Sequence, residues 1–370
     1  MLLILDNTIL GIDLGANLEN VAAIENLLGA VFVGNHLLTG STDVLQKLIS
    51  QKEHLSSRSA AVLFDIRNNR TQKESLFQSI TTRAIVCADI QEPTKISSLE
   101  WRLPLSIFRN PSVANRTLLL AEDRIDSEIY IFAARHYQTR NRVRGIKIAA
   151  RAEGGGGART SDKFKRVASD CSDFCLCITD SDKYSPDGAA QGTALNCKKI
   201  AQETNWVARH LVLSMRELEN LLPKRILGHA IGAHQIENLD YLNQLDTVDV
   251  KGLGWHLDLK MGTRLGWALK HKKGSPDYVF WAGCIDKLCG TSKAIDPDCC
   301  ADRDCRSPDD CACSLAPGLG EKIAEKTLEW LNGVSLHKSL ECADSDRDAE
   351  WFSIGRQVLE WCCASEPIRC

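Results

Sequence analysis

The sequence predicts an α/β fold built on a Rossmann-like parallel sheet. Three observations predict it. Two short apolar runs, Leu118-Leu119-Leu120-Ala121 and Phe174-Cys175-Leu176-Cys177-Ile178, have the continuous hydrophobicity of strands buried on both faces. Segments with helical periodicity lie between the candidate strands, the pattern that gives parallel strands with right-handed crossovers. Each run ends in carboxylates, Glu122 after the first and Asp180 and Asp182 after the second. In a parallel sheet that edge is where ligands and metals collect.

Composition bounds the rest. The 370 residues allow two or three domains, and neither the 25% charged nor the 44% hydrophobic fraction departs from an ordinary globular chain. The net charge of -3 gives no global basic signature, so any nucleic-acid contact must come from local patches such as Arg135, Arg140, Arg142, Arg144 and Lys147. No apolar run approaches the roughly 20 residues needed to span a bilayer. The start, Met1 to Asp6, lacks the basic n-region and cleavage site of a signal peptide. The expected location is cytoplasmic, where the 16 cysteines are thiols or metal ligands rather than disulfides.

Residues 1–115 read as an N-terminal α/β region available for partner binding. Ala30–Val33, Ala60–Phe64 and Arg83–Ala88 are expected strands, and Asp43–Gln51 an expected helix with Val44, Leu45 and Leu48 on one face. No catalytic motif occurs there. Residues 116–225 form the central domain. After Glu122, Ile125, Ile129, Phe132, Ala133 and His136 fit one helix face. A middle strand follows over 146–150, then the glycine loop Gly154–Gly157, a helix over 164–168, the Asp-x-Asp strand, a helix over 198–204 and a strand over 210–213. Residues 226–370 form a C-terminal, mostly helical region with a cysteine-rich loop. Expected helices there cover 321–331 and 358–362.

Four carboxylates gathered at one sheet edge repel each other unless a cation is present. The candidates are Glu122, Asp126 (four residues on, in the following helix), Asp180 and Asp182. Mg²⁺ or Mn²⁺ accepts such hard oxygen ligands and keeps open positions for water and a phosphate oxygen. Glu219, with Glu217 beside it, could complete a second site or brace its own helix. Lys183, next to the Asp-x-Asp, is a candidate cation for a scissile phosphate or a solvated loop lysine. The glycines 154–157 either allow backbone approach to a phosphate or form a turn.

The order strand-Glu122-x-x-x-Asp126, glycine loop, strand-Asp180-x-Asp182 and Arg216-Glu217-Leu218-Glu219-Asn220 resembles the Toprim domain of the OLD-like nucleases. The resemblance covers Leu118 to Pro223 and neither flanking region. It implies a Mg²⁺-dependent endonuclease acting on DNA or RNA, of the phage-defence effector type. Those proteins often carry an ATPase, but no Gly-x-x-x-x-Gly-Lys-Ser/Thr loop is present here, so a separate ATPase or sensor subunit is the implied partner. Nucleic acid and a second copy of the chain are the other expected partners, with no membrane. Topoisomerase chemistry needs a nucleophilic tyrosine in a separate domain, which has no supporting context. A non-catalytic Toprim-like module that binds nucleic acid or protein is the alternative.

The cysteine-dense stretch from Cys284 to Cys313 is rich in aspartate and cannot build a core by itself. A structural Zn²⁺ on four thiolates would fold it. Cys284, Cys289, Cys305 and Cys311 are the candidate ligands, preferred here to free thiols or an iron–sulfur cluster.

Overall fold

A computed structural model describes residues 1–246, 248, 250–288, 313–344 and 348–368. The chain divides into two compact units. The first comprises Met1–Ile178, Asn196–Leu211 and Phe352–Cys370, and the second Thr179–Leu195 and Val212–Trp351. The expected boundary at residue 115 falls inside the first unit, and the expected central domain contributes to both.

The first unit holds two sheets. In the first, β1 (Leu2–Leu5), β2 (Leu37–Gly40), β3 (Arg83–Cys87), β4 (Thr94–Lys95) and β5 (Glu100–Pro104) are ordered β2-β1-β3-β5-β4. The first four listed in that order are parallel, and β4 closes the edge antiparallel to β5. Helix α1 (Leu18–Phe32) links β1 to β2, and α2 (Thr42–Ser50) and α3 (Ser57–Ser79) lie between β2 and β3.

Two expected strands are helical. Ala30–Val33 falls on the last turn of α1 and its C-cap, and Ala60–Phe64 lies in α3. Each is a short apolar run that fits a strand or a buried helix segment equally well. The decision lies in what precedes them. Asn17 caps α1 by accepting from the Glu19 and Asn20 amides, and Ser56 caps α3 by accepting from Ser59. From those starts, Ala23, Ile24, Leu27, Leu28 and Val31 fall on one buried helical face. The strands in their place, β1 and β2, carried no alternation to mark them because they are almost wholly buried.

The second sheet has the order β10-β9-β6-β8. It contains β6 (Thr117–Ala121), β8 (Ala150–Gly154), β9 (Cys175–Thr179) and β10 (Ala208–Val212), with β6 parallel to both β8 and β9. The connecting helices are α4 (Arg124–Arg140), α5 (Thr160–Asp170) and α6 (Gly192–Glu203). This is the strand–helix alternation expected from the sequence. Leu118–Leu120 and Phe174–Ile178 are at most 1% exposed, and burying each large apolar side chain is worth about 1.5–3 kcal/mol. Cys175 and Cys177 serve here as small core residues whose thiols burial pushes well up.

The expected middle strand is split. Lys147–Ile148 (β7) pairs antiparallel with β13 (Cys363–Ala364), and β8 begins only at Ala150. Between them, the Ala149 amide donates to the Cys362 carbonyl. The chain's last helix delivers β13. It also brings the buried Glu360 carboxylate to the Thr81 and Thr82 hydroxyls and the Thr82 amide, at 2.5, 3.1 and 3.2 Å. Trp361 packs edge-on to Trp101, with ring centroids 5.4 Å apart. The last helix is thus built into the core of the first unit.

The second unit is mostly helical. It contains α7 (Leu218–Leu221), α8 (Lys224–Ala230), α9 (Ile236–Leu245), α10 (Leu253–His256), α11 (Leu265–Leu269), α12 (Pro276–Leu288), α13 (Ile323–Gly333) and α14 (Leu336–Glu341). An antiparallel ribbon of β11 (Gly262–Arg264) and β12 (Ser314–Pro317) joins them. The expected helix over 321–331 is α13. The one expected over 358–362 is the end of the longer α15 (Ala349–Cys362). Among the described residues, no helix is long and apolar enough to cross a membrane.

Candidate acidic site

In the first unit, Glu122 follows the last residue of β6 and Asp126 occupies the first turn of α4. Asp123 is the helix N-cap, accepting from the Ile125 amide at 2.8 Å, and Asp126 reciprocates by accepting from the Asp123 amide at 2.9 Å. Asp126 therefore closes a capping box. A carboxylate three residues past a capping aspartate is what a helix start needs, whatever else it does.

The glycine loop has a structural explanation. The Gly155 amide donates to the Ala121 carbonyl, and the Gly156 and Gly157 amides to the Glu122 carbonyl, at 2.8–3.1 Å. These donors are spent on the strand end and are not presented to a phosphate. A Cβ on Gly154 would lie 2.6 Å from the Arg124 nitrogen, and one on Gly155 2.5 Å from the Thr160 Cα. Gly156 and Gly157 have φ of +83° and +61°. The run is glycine because two backbones touch and two residues turn left-handed. Gly155→Ala is expected to cost about 1–3 kcal/mol by overpacking, measured by urea denaturation, whereas a loop with room would absorb the methyl.

In the second unit, Asp180 and Asp182 stand on a loop clamped to the segment 215–218. The Ser181 and Asp182 amides both donate to the Arg216 carbonyl at 3.1 Å, and the Ser181 hydroxyl donates to the Met215 carbonyl at 2.7 Å. Asp180 accepts from the Leu218 amide at 3.0 Å. Asp182 has φ of +51°, a left-handed conformation that costs a non-glycine residue energy and survives only where the surroundings impose it. Burial holds the Asp182 carboxyl above its ordinary value, opposed by the Arg216 and Lys260 charges.

Glu217 and Glu219 meet the same cations. The Lys260 ammonium lies 3.2 Å from Glu219 Oε1 and 3.5 Å from Glu217 Oε2, and Asp180 adds to the field that keeps it protonated. Arg216 pairs with Glu217 at 2.9 Å and lies 3.7 Å from Asp258. Its guanidinium sits over the Trp267 ring at 4.8 Å and the Tyr184 ring at 5.5 Å. The Glu219 side chain is only 3% exposed, and its Oε2 is buried with no hydrogen-bond partner among the described residues. Burial pushes its carboxyl up to about 7, against the opposing pull of Lys260.

Asp180, Asp182, Glu217 and Glu219 thus belong to one charged cluster of the second unit, while Glu122 and Asp126 belong to the first unit. Lys183 uses its backbone, donating to the Ser181 hydroxyl and lying 3.2 Å through its carbonyl from His256 Nδ1. His136, on α4, is wholly buried and burial lowers it to about 4, so it is a packed core residue. Lys260 was not anticipated: it lies 41 positions beyond Glu219, in a region without motifs, and no local pattern marks it. Cys284 is buried on α12 with its thiol pushed up to about 12, whereas Cys289, Cys305 and Cys311 lie outside the described residues.

Among the described residues, no three His, Cys, Asp or Glu side chains are preassembled for a metal ion. The donor chemistry of the cluster still suits a hard cation. It offers carboxylate oxygens, one of them buried and unpartnered among the described residues, and a lysine ammonium now pairs with two of the carboxylates. Comparison of the chain with family models, curated proteins and solved structures returned no match.

Proposed function

We propose that the chain is a metal-dependent phosphodiesterase acting on DNA or RNA, with a Toprim-like arrangement and Mg²⁺ or Mn²⁺ held by Asp180, Asp182 and Glu219. One observation carries the reading: Glu219 is buried, only partly neutralised and unsatisfied at Oε2, beside an Asp-x-Asp loop held in a left-handed turn. A protein that spends free energy on such a carboxylate gains it back when a cation binds. The divalent ion supplies charge neutralisation and an acidified water at the phosphate. Asp180 also fixes the start of α7, so the loop and the Glu219 helix keep one spacing. Arg216, held by Glu217 and the Trp267 ring, keeps Nη1 buried without a partner among the described residues, a donor suited to an anionic oxygen. By the same resemblance, the biological setting is antiviral defence alongside a separate ATPase or sensor.

A second reading has its own support. Lys260 already pairs with Glu217 and Glu219, as it would in a non-catalytic module that binds nucleic acid or protein. Incubation with plasmid, single-stranded DNA and tRNA, with Mg²⁺, with Mn²⁺ and with EDTA, separates the two. Divalent-dependent cleavage of any of these supports the nuclease, and no cleavage of all three in every condition supports the module.

A further inference from the structure

We propose that the cleft at the carboxyl edge of the first sheet, between β1 and β3, binds a mononucleotide. The chain runs from β1 outward to β2 and then crosses to β3 on the other side of β1. The strand order reverses between β1 and β3, and at such a point the connections leave in opposite directions and open a crevice beyond the strand ends. A cavity of about 330 Å³ is present there, lined by residues that follow β1, β3 and β5 and by one residue of α1. That volume lies at the lower end of small-ligand sites.

The lining selects the ligand. Asn20, Asp89, Gln91 and Ser106 line the cavity, and among the described residues their side chains make no hydrogen bond or ion pair, although the Asp89 charge is felt at Arg102 and Cys87. Asp89 and the two amides suit the vicinal hydroxyls of a ribose, which both donate and accept. Arg109 also lines the cavity. Its ion pair to Glu19 at 2.7 Å joins two side chains 43% and 64% exposed, so water already weakens it and a phosphate dianion can replace it. Ile12 and Leu105, at 5% and 3% exposure, give the cavity an apolar wall for a flat base. A cation, an acid, amides and an apolar wall together match a phosphorylated nucleoside better than a free sugar or an anion alone. The site shares no residue with the acidic cluster, so it stands or falls independently of the nuclease reading.

Calorimetric titration of the full chain with AMP, GMP, CMP and UMP, without added metal, tests this. At least one nucleotide is expected to saturate, and Asp89→Ala to weaken it about tenfold, the worth of one hydrogen bond to a charged group. Arg109→Ala is expected to weaken the nucleotide but not the matching nucleoside, and Asp182→Asn to leave binding intact. Thermal melting of each variant verifies folding, and if one variant fails to fold the other carries the test. No saturable binding of any nucleotide up to roughly 1 mM overturns the proposal. So does affinity unchanged in the folded variants, and ribose 5-phosphate binding as tightly as the nucleotide removes the base from the assignment.

Discussion

Asp182→Asn is expected to lower divalent-dependent phosphodiester cleavage by about 10²–10³-fold, the usual cost of removing one preorganised charge from a reacting site. The variant is chosen for its geometry. Asparagine tolerates the left-handed backbone that Asp182 adopts, with φ of +51°. The amide groups that hold the loop, those of Ser181 and Asp182, belong to the backbone and are untouched. Burial already disfavours the ionised form of Asp182, so stability in the absence of metal should change by no more than about 1 kcal/mol. A large loss of cleavage with an unchanged urea midpoint ties the carboxylate to chemistry. Undiminished cleavage in a folded variant removes Asp182 from the metal set. Asp180→Asn is a poorer probe, because that carboxylate also accepts from the Leu218 amide and its loss disturbs the segment carrying Glu219. Glu122→Ala, assayed in parallel, reports whether the carboxylate of the first unit takes part in the same activity.

The parallel sheet was legible because β6 and β9 are short, apolar but for one threonine each, and followed by polar breaks, a pattern with few alternatives. The first sheet was less so. β1 and β2 are four-residue strands without alternation, while the short apolar runs of α1 and α3 imitate strands when read without their capping residues Asn17 and Ser56. The acidic residues were found by their order after strands, but their electrostatic setting was not. Lys260 reaches Glu217 and Glu219 from distant sequence, and only the folded chain shows that a cation is built into the cluster. The four-glycine run shows the reverse case. Glycine next to an acidic strand end suggests a phosphate loop, yet three of its amides are spent on the Ala121 and Glu122 carbonyls.

Glu219→Gln is expected to flatten the pH dependence of stability. The sign follows from the direction of the shift. The carboxyl titrates at about 7 in the folded chain and near 4.5 when unfolded. Between those values the folded chain binds the extra proton, so stability present below pH 4.5 is lost as pH rises through 7. For a side chain 3% exposed, the loss is about 3 kcal/mol at 1.36 kcal/mol per pH unit. Lys260 remains protonated throughout this range, because burial opposes its charge less than Glu219, Glu217 and Asp180 favour it. Urea denaturation of the metal-free chain at pH 5 and pH 8 measures the difference, and the glutamine variant should show most of it removed. Mg²⁺ should act in the same direction on the natural chain at pH 8, since a cation bound to ionised Glu219 favours the form that burial penalises. Stabilisation by Mg²⁺ that persists undiminished in the glutamine variant would place the ion elsewhere. A pH slope unchanged by the substitution would mean that Lys260 fully compensates Glu219, which makes the cluster a finished ion-pair network and favours the non-catalytic reading.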